Sequence, residues 1–300
     1  MLSRNRILWL IRIAWSTLPF ALGEPLASIG LGHRHGVGVM LGVGGWVIWT
    51  IGLIALLVPF LATLTTIRML APLPLAASLT AVVSADDSGS VESVIVATLV
   101  SFIILIGVFS SEIGHEYTQA SAYGDERRYP LRIPAPLLIL VPIGWLLTAA
   151  TSVTGLFALA AGRPLVGIPL TIFGAALTTG FARRCHRISR RFAVFVPAGF
   201  ALHDHLALAD TAMFRRTEID TLSLAVRSTD ALDLTAGALG PAVQLTLREM
   251  GMVVRAGTMQ SRQGAGVHVR SLMFSPSRPG RLLAEAARRQ LAATPPPSTN

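Results

Sequence analysis

The sequence predicts a mixed fold: an α-helical membrane bundle of about five spans, then a small soluble antiparallel β-rich α+β domain ending in a helix. Three observations predict it. Of 300 residues, 52% are hydrophobic and 14% charged, whereas soluble domains carry roughly 25% charged residues. The mean hydropathy is +0.60. Up to residue 182 the chain runs in long uncharged stretches, and after Arg191 it changes to short alternating ones. Too little charge is present to cover a water-facing surface, which excludes an ordinary cytosolic enzyme and a disordered chain. Cys185 is the only cysteine, so a disulfide-stapled secreted domain is excluded as well.

A membrane helix needs about 20 apolar residues, and the charge-free runs supply five: residues 37–60, 65–83, 92–110, 136–159 and 164–182. Arg68, in the first turns of the second, has a stem long enough to snorkel toward the interface. Pro142 and Gly144 in the fourth are the places where a broken helix would form. Residues 1–35 admit three readings. They form an interfacial amphipathic helix anchored by Trp9 and Trp15, a sixth span in which Arg12 pairs with Glu24, or a signal peptide. The interfacial helix is preferred, and Arg12 inside the apolar core argues most against a signal.

All 25 basic residues are arginine. Residues 1–182 carry nine against eight carboxylates, and residues 183–300 carry sixteen against eight. Arg183, Arg184, Arg187, Arg190 and Arg191 follow the last span and read as a juxtamembrane linker, residues 183–191, that contacts anionic headgroups on the cytoplasmic side. The segment with Arg127, Arg128 and Arg132 is then a cytoplasmic loop, and the Asp86-Asp87 turn lies outside. Arg163 is the one misfit. Five spans leave Arg4 and Arg6 outside, and a sixth would bring them inside.

Residues 192–292 form the soluble domain and 293–300, with Pro295, Pro296 and Pro297, a disordered tail. Residues 192–196 and 200–204 flank a Pro197-Ala198-Gly199 turn as two strands, and Phe214 to Val226 is a further strand region. Residues 231–235 make a short strand. Val243, Leu245 and Leu247 alternate with polar residues as a half-buried strand, and residues 267–274 give another. A helix follows from Pro279 to Leu291, with Leu283, Ala287 and Leu291 on one face. This order of elements resembles a bacterial pleckstrin-homology-like domain over Arg191 to Ala293. The whole chain resembles a family of uncharacterised actinobacterial multi-spanning membrane proteins. The residues that carry that likeness are the run Ser121 to Arg132, Phe195-Val196-Pro197-Ala198-Gly199, and Ser275-Pro276-Ser277-Arg278-Pro279-Gly280. It implies an architecture and no activity.

Chemistry-bearing residues are few. Glu112, His115 and Glu116 share a helix face by their spacing and have the donor types of a divalent metal site, although solvated residues closing the third span explain them more simply. Asp125, Glu126, Arg127 and Arg128 have the makings of a headgroup-phosphate site with a carboxylate base, against a structural loop whose arginines pair locally. His203 and His205 flank Asp204 at strand spacing, which reads as a metal chelate or as a solvated turn. Cys185 lies between Arg184 and His186, which reads as an S-acylation site or, more simply, as an ordinary juxtamembrane cysteine. No phosphate loop, dinucleotide fingerprint, nucleophile elbow or zinc-protease motif is present. The sequence therefore points to a non-enzymatic scaffold, adaptor or regulator in the plasma membrane. It is expected to need no cofactor, to lie against anionic headgroups, to have a membrane-protein partner and to bind no nucleic acid. A small-solute transporter or channel, and a membrane-embedded enzyme acting on lipid, are the alternatives.

Overall fold

A computed structural model describes residues 4–30, 34–84, 91–226, 230–257 and 264–291. The Asp86-Asp87 turn and the tail expected from the sequence fall outside the described residues, as do residues 258–263. The chain divides into two compact units, Met1–Tyr117 with Val141–His186, and Thr118–Leu140 with Arg187–Asn300.

The first unit is helical. Its elements are α1 (Arg4–Gly30), α2 (His35–Leu57), α3 (Leu61–Leu70), α4 (Pro72–Ser84), α5 (Val91–Phe109) and most of α6 (Ser111–Ala120), with the greater part of α7 (Ala135–Ala160) and α8 (Pro164–Ser189). Among the described residues six stretches are long and apolar enough to cross a membrane: Arg6–Gly30, His35–Leu57, Leu61–Val83, Val91–Phe109, Ala135–Ala160 and Pro164–Ser189. The one beyond the five expected is α1. Its Leu8, Ile11, Trp15, Leu18 and Leu22 recur at alternating steps of three and four, and all are buried in the bundle core. That stripe packs α1 against α2, α4 and α5, as a bundle member and not as a separate surface helix. Large apolar side chains elsewhere on the helices face outward, among them Trp46, Leu99, Ile106 and Ile172.

α7 is unbroken through Pro142, so the expected helix break is not there. Gly144, its neighbour, receives the Phe181 ring. The chain breaks at Ala71 instead, where Pro72 and Pro74 remove two backbone donors. The Trp145 indole donates to the Met69 carbonyl at that break (2.8 Å).

Helix packing here depends on small residues. A Cβ on Gly52 would lie inside the fully buried Trp15 ring, and one on Gly155 would meet the backbone of Leu170 and Thr171. Close approach of this kind is how apolar helices associate without a hydrophobic driving force between them. Trp15 and Trp49 also exchange hydrogen bonds, each indole N–H donating to the other's carbonyl at 2.9 Å.

The C-terminus of α2 shows how the bundle satisfies its backbone. The carbonyl of Ala55 would ordinarily accept from residue 59, but that residue is Pro59 and has no N–H. The buried Tyr117 hydroxyl donates to it instead at 2.9 Å. The next carbonyl, Leu56, would accept from Phe60, whose N–H donates to the Thr63 hydroxyl (2.9 Å). Arg12 replaces that donor with Nε at 3.1 Å and Nη2 at 2.9 Å. The expected pairing of Arg12 with Glu24 does not occur: twelve residues of helix separate them by about 18 Å.

The second unit contains β1 (Arg127–Pro130), β2 (Phe192–Val196), β3 (Gly199–His203), β4 (Ala212–Arg215), β5 (Ile219–Leu224), β6 (Leu232–Asp233), β7 (Val243–Arg255), β8 (Ala265–Phe274) and α9 (Pro279–Arg288). One sheet has the order β1-β2-β3-β4, the other β5-β7-β8-β6. Among the described residues the strand pairings are antiparallel except β6 with β8, which is parallel. Both sheets contribute to one core around Phe195, Phe200, Leu222, Leu245 and Phe274, which α9 joins through Leu282, Leu283 and Ala286.

Four expectations change. The Arg127–Arg132 segment is a strand of this unit, not a loop between spans, because Tyr129 and Leu131 alternate into the core. The domain therefore needs residues from 118–140 as well as 192–292. Residues 183–189 are the last turns of α8 and not a linker, so only Arg190 and Arg191 separate α8 from β2. Ala287 is exposed, and the inner face of α9 is Leu282, Leu283 and Ala286.

Two substitutions test the bundle. Gly52→Leu drives a side chain into Trp15 and is expected to cost about 1–3 kcal/mol. Tyr117→Phe strands the Ala55 carbonyl at a similar cost, about 1–3 kcal/mol. Both should lower the unfolding temperature in detergent, and wild-type values for both would contradict the packing described.

Candidate functional site

A buried, hydrogen-bonded polar cluster in the second unit is centred on Arg191. The β2–β3 hairpin pairs Phe192 with His203 and Val196 with Gly199. Continued by one residue, that register sets Arg191 opposite Asp204. The two form a bidentate pair, Nε to Oδ1 at 2.6 Å and Nη2 to Oδ2 at 2.7 Å, and each is only 2% exposed. Nη1 of Arg191 donates to the Arg132 carbonyl at 2.9 Å, and the Leu206 N–H donates to Asp204 Oδ1 at 3.1 Å. Arg191 is thus a buried structural residue and not the headgroup contact expected of it. Arg183, Arg184, Arg187 and Arg190 are exposed.

The pair also holds the segment leaving β1. The Leu131 N–H donates to the Arg191 carbonyl (3.0 Å), Arg132 N–H to the Ser275 carbonyl (2.8 Å), and Ser277 N–H to the Pro130 carbonyl (2.9 Å). The Arg132 guanidinium reaches the Leu239 carbonyl at 2.8 Å. Four regions of the chain meet at this point, and their register depends on it.

Asp125, Glu126, Arg127 and Arg128 are divided rather than convergent. Arg128 donates to Glu126 Oε2 through Nε (3.1 Å) and Nη2 (2.8 Å), and its guanidinium lies 5.0 Å from the Phe192 ring centre. Gln119 binds the turn from below, accepting from the Arg128 N–H and donating to the Glu126 carbonyl, both at 2.9 Å. The hydrogen bond from Arg128 holds the Glu126 carboxyl below its ordinary range, which makes it a weak base at neutral pH. Asp125 and Arg127 are exposed. These contacts are those of a structural turn.

No group of three metal-ligating side chains occurs among the described residues. Glu112, His115 and Glu116 share α6, but His115 is buried while the two carboxylates are partly exposed. Asp204 does not join His203 and His205 in a ligand set, because its carboxylate is committed to Arg191. His203 Nδ1 is 2.8 Å from the Thr211 hydroxyl, and its ring lies 5.2 Å from that of Phe192. Cys185 is half-buried on α8. No family profile, curated protein or solved structure matches the chain.

The ion pair was within reach of the sequence. A two-residue turn at Pro197-Ala198 places residues whose numbers sum to 395 opposite one another, and Arg191 and Asp204 are such a pair. Removing one partner leaves a buried charge, at a cost of about 3–5 kcal/mol. Asp204→Asn and Arg191→Met are each expected to unfold the second unit well below the wild-type temperature, read by its loss of amide protection. Equal protection in the variants would contradict the assignment.

Both histidines are held below the ordinary 6.5. Burial is the larger cause for each, followed by Arg190 for His203 and Arg187 for His205, with Asp204 opposing in both. The unfolded chain then binds more protons than the folded one just below neutrality. Their contribution to stability is complete above about pH 6.5 and is lost as the pH falls toward their folded values. Unfolding of the second unit should become easier from about pH 7 to 5, and His203→Gln with His205→Gln should flatten that slope. An unchanged slope would place its origin elsewhere.

Proposed function

We propose that the chain is an integral membrane protein of six spans, with both ends in the cytoplasm, whose second unit serves as a scaffold or adaptor at the inner face of the plasma membrane. The carrying observation is the continuity of α8: its apolar turns run without interruption into exposed Arg183, Arg184 and Arg187, and Arg190 follows. A basic helix end of this kind favours the anionic leaflet by about 1 kcal/mol per arginine. An even number of spans also brings Arg6 to the same side as the second unit, which removes the conflict that five spans created. The antiparallel meander β1–β4, the second sheet and the closing helix support a pleckstrin-homology-like reading of the domain, although the parallel β6–β8 pair departs from the all-antiparallel pattern expected.

The enzyme reading loses support because Glu126 and Arg128 are engaged with each other. The transporter reading loses the broken fourth span on which it drew. On this reading the domain's partner is a neighbouring membrane protein, met at the lipid surface to which the exposed arginines are drawn.

Reporters fused at residues 1 and 300 should both be read from the cytoplasm. In nanodiscs, amides of residues 183–190 should exchange more slowly with phosphatidylglycerol than with phosphatidylcholine, and the difference should vanish near 0.5 M salt, where the screening length is about 4 Å. Replacing Arg183, Arg184, Arg187 and Arg190 by glutamine should abolish it. An external C-terminal reporter, or protection indifferent to lipid charge, would overturn the proposal.

A further inference from the structure

Two arginines of the helical unit are accounted for only in part. Arg12 directs Nε and Nη2 to the Leu56 carbonyl, and its guanidinium lies 5.2 Å from the centre of the half-exposed Trp9 ring. Arg68 makes one long contact, Nε to the Val108 carbonyl at 3.5 Å, and its guanidinium lies 5.7 Å from the Phe109 ring centre. Gly114 leaves room for the Arg68 head, since a Cβ there would be 3.1 Å from Nη2. Among the described residues neither guanidinium has a carboxylate in ion-pair range.

Both arginines stand at one level of the bundle. Leu56 is in the last turn of α2 and Val108 in the last turn of α5. Ile11, next to Arg12, packs where a Cβ on Gly107, next to Val108, would lie. Each helix end offers about half a negative charge, so roughly half of each guanidinium charge is left uncompensated. Nη1 of Arg12 and both Nη groups of Arg68 have no acceptor among the described residues. A cation in such surroundings is costly unless an anion meets it.

We propose that Arg12 and Arg68 bind the phosphodiester of an anionic phospholipid on the leaflet where α2 and α5 end. The assignment rests on the membrane-spanning reading and adds to it a second lipid contact, separate from the α8 arginines. A phosphodiester fits for three reasons. Its two anionic oxygens match the planar fork of a guanidinium. Trp9 and Phe109 stand beside the charges, where aromatic side chains border headgroups. Exposed apolar residues of α5, such as Ile106 and Phe102, continue away from the site and give acyl chains a surface.

The test is lipid retention by the full chain, purified from membranes and titrated with phosphatidylglycerol or phosphatidylcholine. Native mass spectrometry reads bound lipid, and the unfolding temperature reads its effect. Phosphatidylglycerol should be retained in preference. Arg68→Gln should weaken retention about fivefold, the equivalent of about 1 kcal/mol per arginine, and Arg68→Lys should restore most of it. Arg12→Gln also removes the donor to Leu56, so Arg12→Lys, which keeps the charge, serves as its folded control and should retain the lipid.

Wild-type retention by a folded Arg68→Gln variant would overturn the site. So would equal retention of the two lipids, or stabilisation by inorganic phosphate as large as that by lipid, which would indicate a soluble anion. Substitution of the four exposed α8 arginines should leave retention unchanged. Release of the intact protein by alkaline carbonate would instead overturn the membrane reading itself, so the two failures are distinguishable.

Discussion

A polypeptide packed among apolar side chains has no water to bind the backbone groups its helices leave unpaired, and the helical unit is organised around that constraint. The end of α2 is the clearest case. Pro59 withholds one donor and the turn to Phe60 diverts another, so Tyr117 and Arg12 are brought from two other helices to replace them. The same need accounts for Trp145 on the Met69 carbonyl and for the Trp49 indole on the Trp15 carbonyl, whose usual donor four residues on is Pro19. These contacts also choose helix neighbours. Apolar faces pack on one another with little discrimination, whereas a donor that must reach a particular carbonyl fixes both partner and depth.

The second unit solves a related problem with charge. Arg191 and Asp204 are buried where four parts of the chain converge, and an unpaired ion there would be intolerable. Bidentate geometry, a third bond to the Arg132 carbonyl and the Leu206 N–H leave the pair well satisfied. Its consequence is order more than net stability. The segment after β1 can accept from Nη1 only in one register, and a slip of one residue would turn Tyr129 and Leu131 out of the core. Because β1 is joined by short segments to α6 and α7, the chain passes between its two units three times. The β-rich unit is therefore not a tail that could be removed at residue 191.

Arginine, the only basic residue used besides histidine, plays three parts. Arg191 is a buried partner, Arg12 and Arg68 meet helix C-termini, and Arg183, Arg184, Arg187 and Arg190 are exposed. A guanidinium can bind a carbonyl with one edge and keep other donors free, which an ammonium on a single point cannot do as well. The lipid contacts proposed for the second and third groups follow from that property.

Hydropathy and charge determined by themselves that the chain has long apolar helices followed by a β-rich segment, because burial in any apolar medium requires uncharged runs and alternation marks half-buried strands. Spans at 37–60, 92–110, 136–159 and 164–182 agree with helices to within a few residues, apart from the longer α8. The roles of the arginines were not legible in the same way. Arg191 looks like its exposed neighbours in composition; the turn at Pro197-Ala198 offers Asp204 as its opposite residue, but its burial follows only from the fold. Arg12 looks like an obstacle to a span until the end of α2 is beside it, and Arg127 to Arg132 look like a loop until Tyr129 and Leu131 find a core. Composition is local and reports what a segment avoids, whereas a partner distant in sequence exists only once the chain has folded; the tertiary structure alone decided which charges are buried, which meet helix ends and which remain outside.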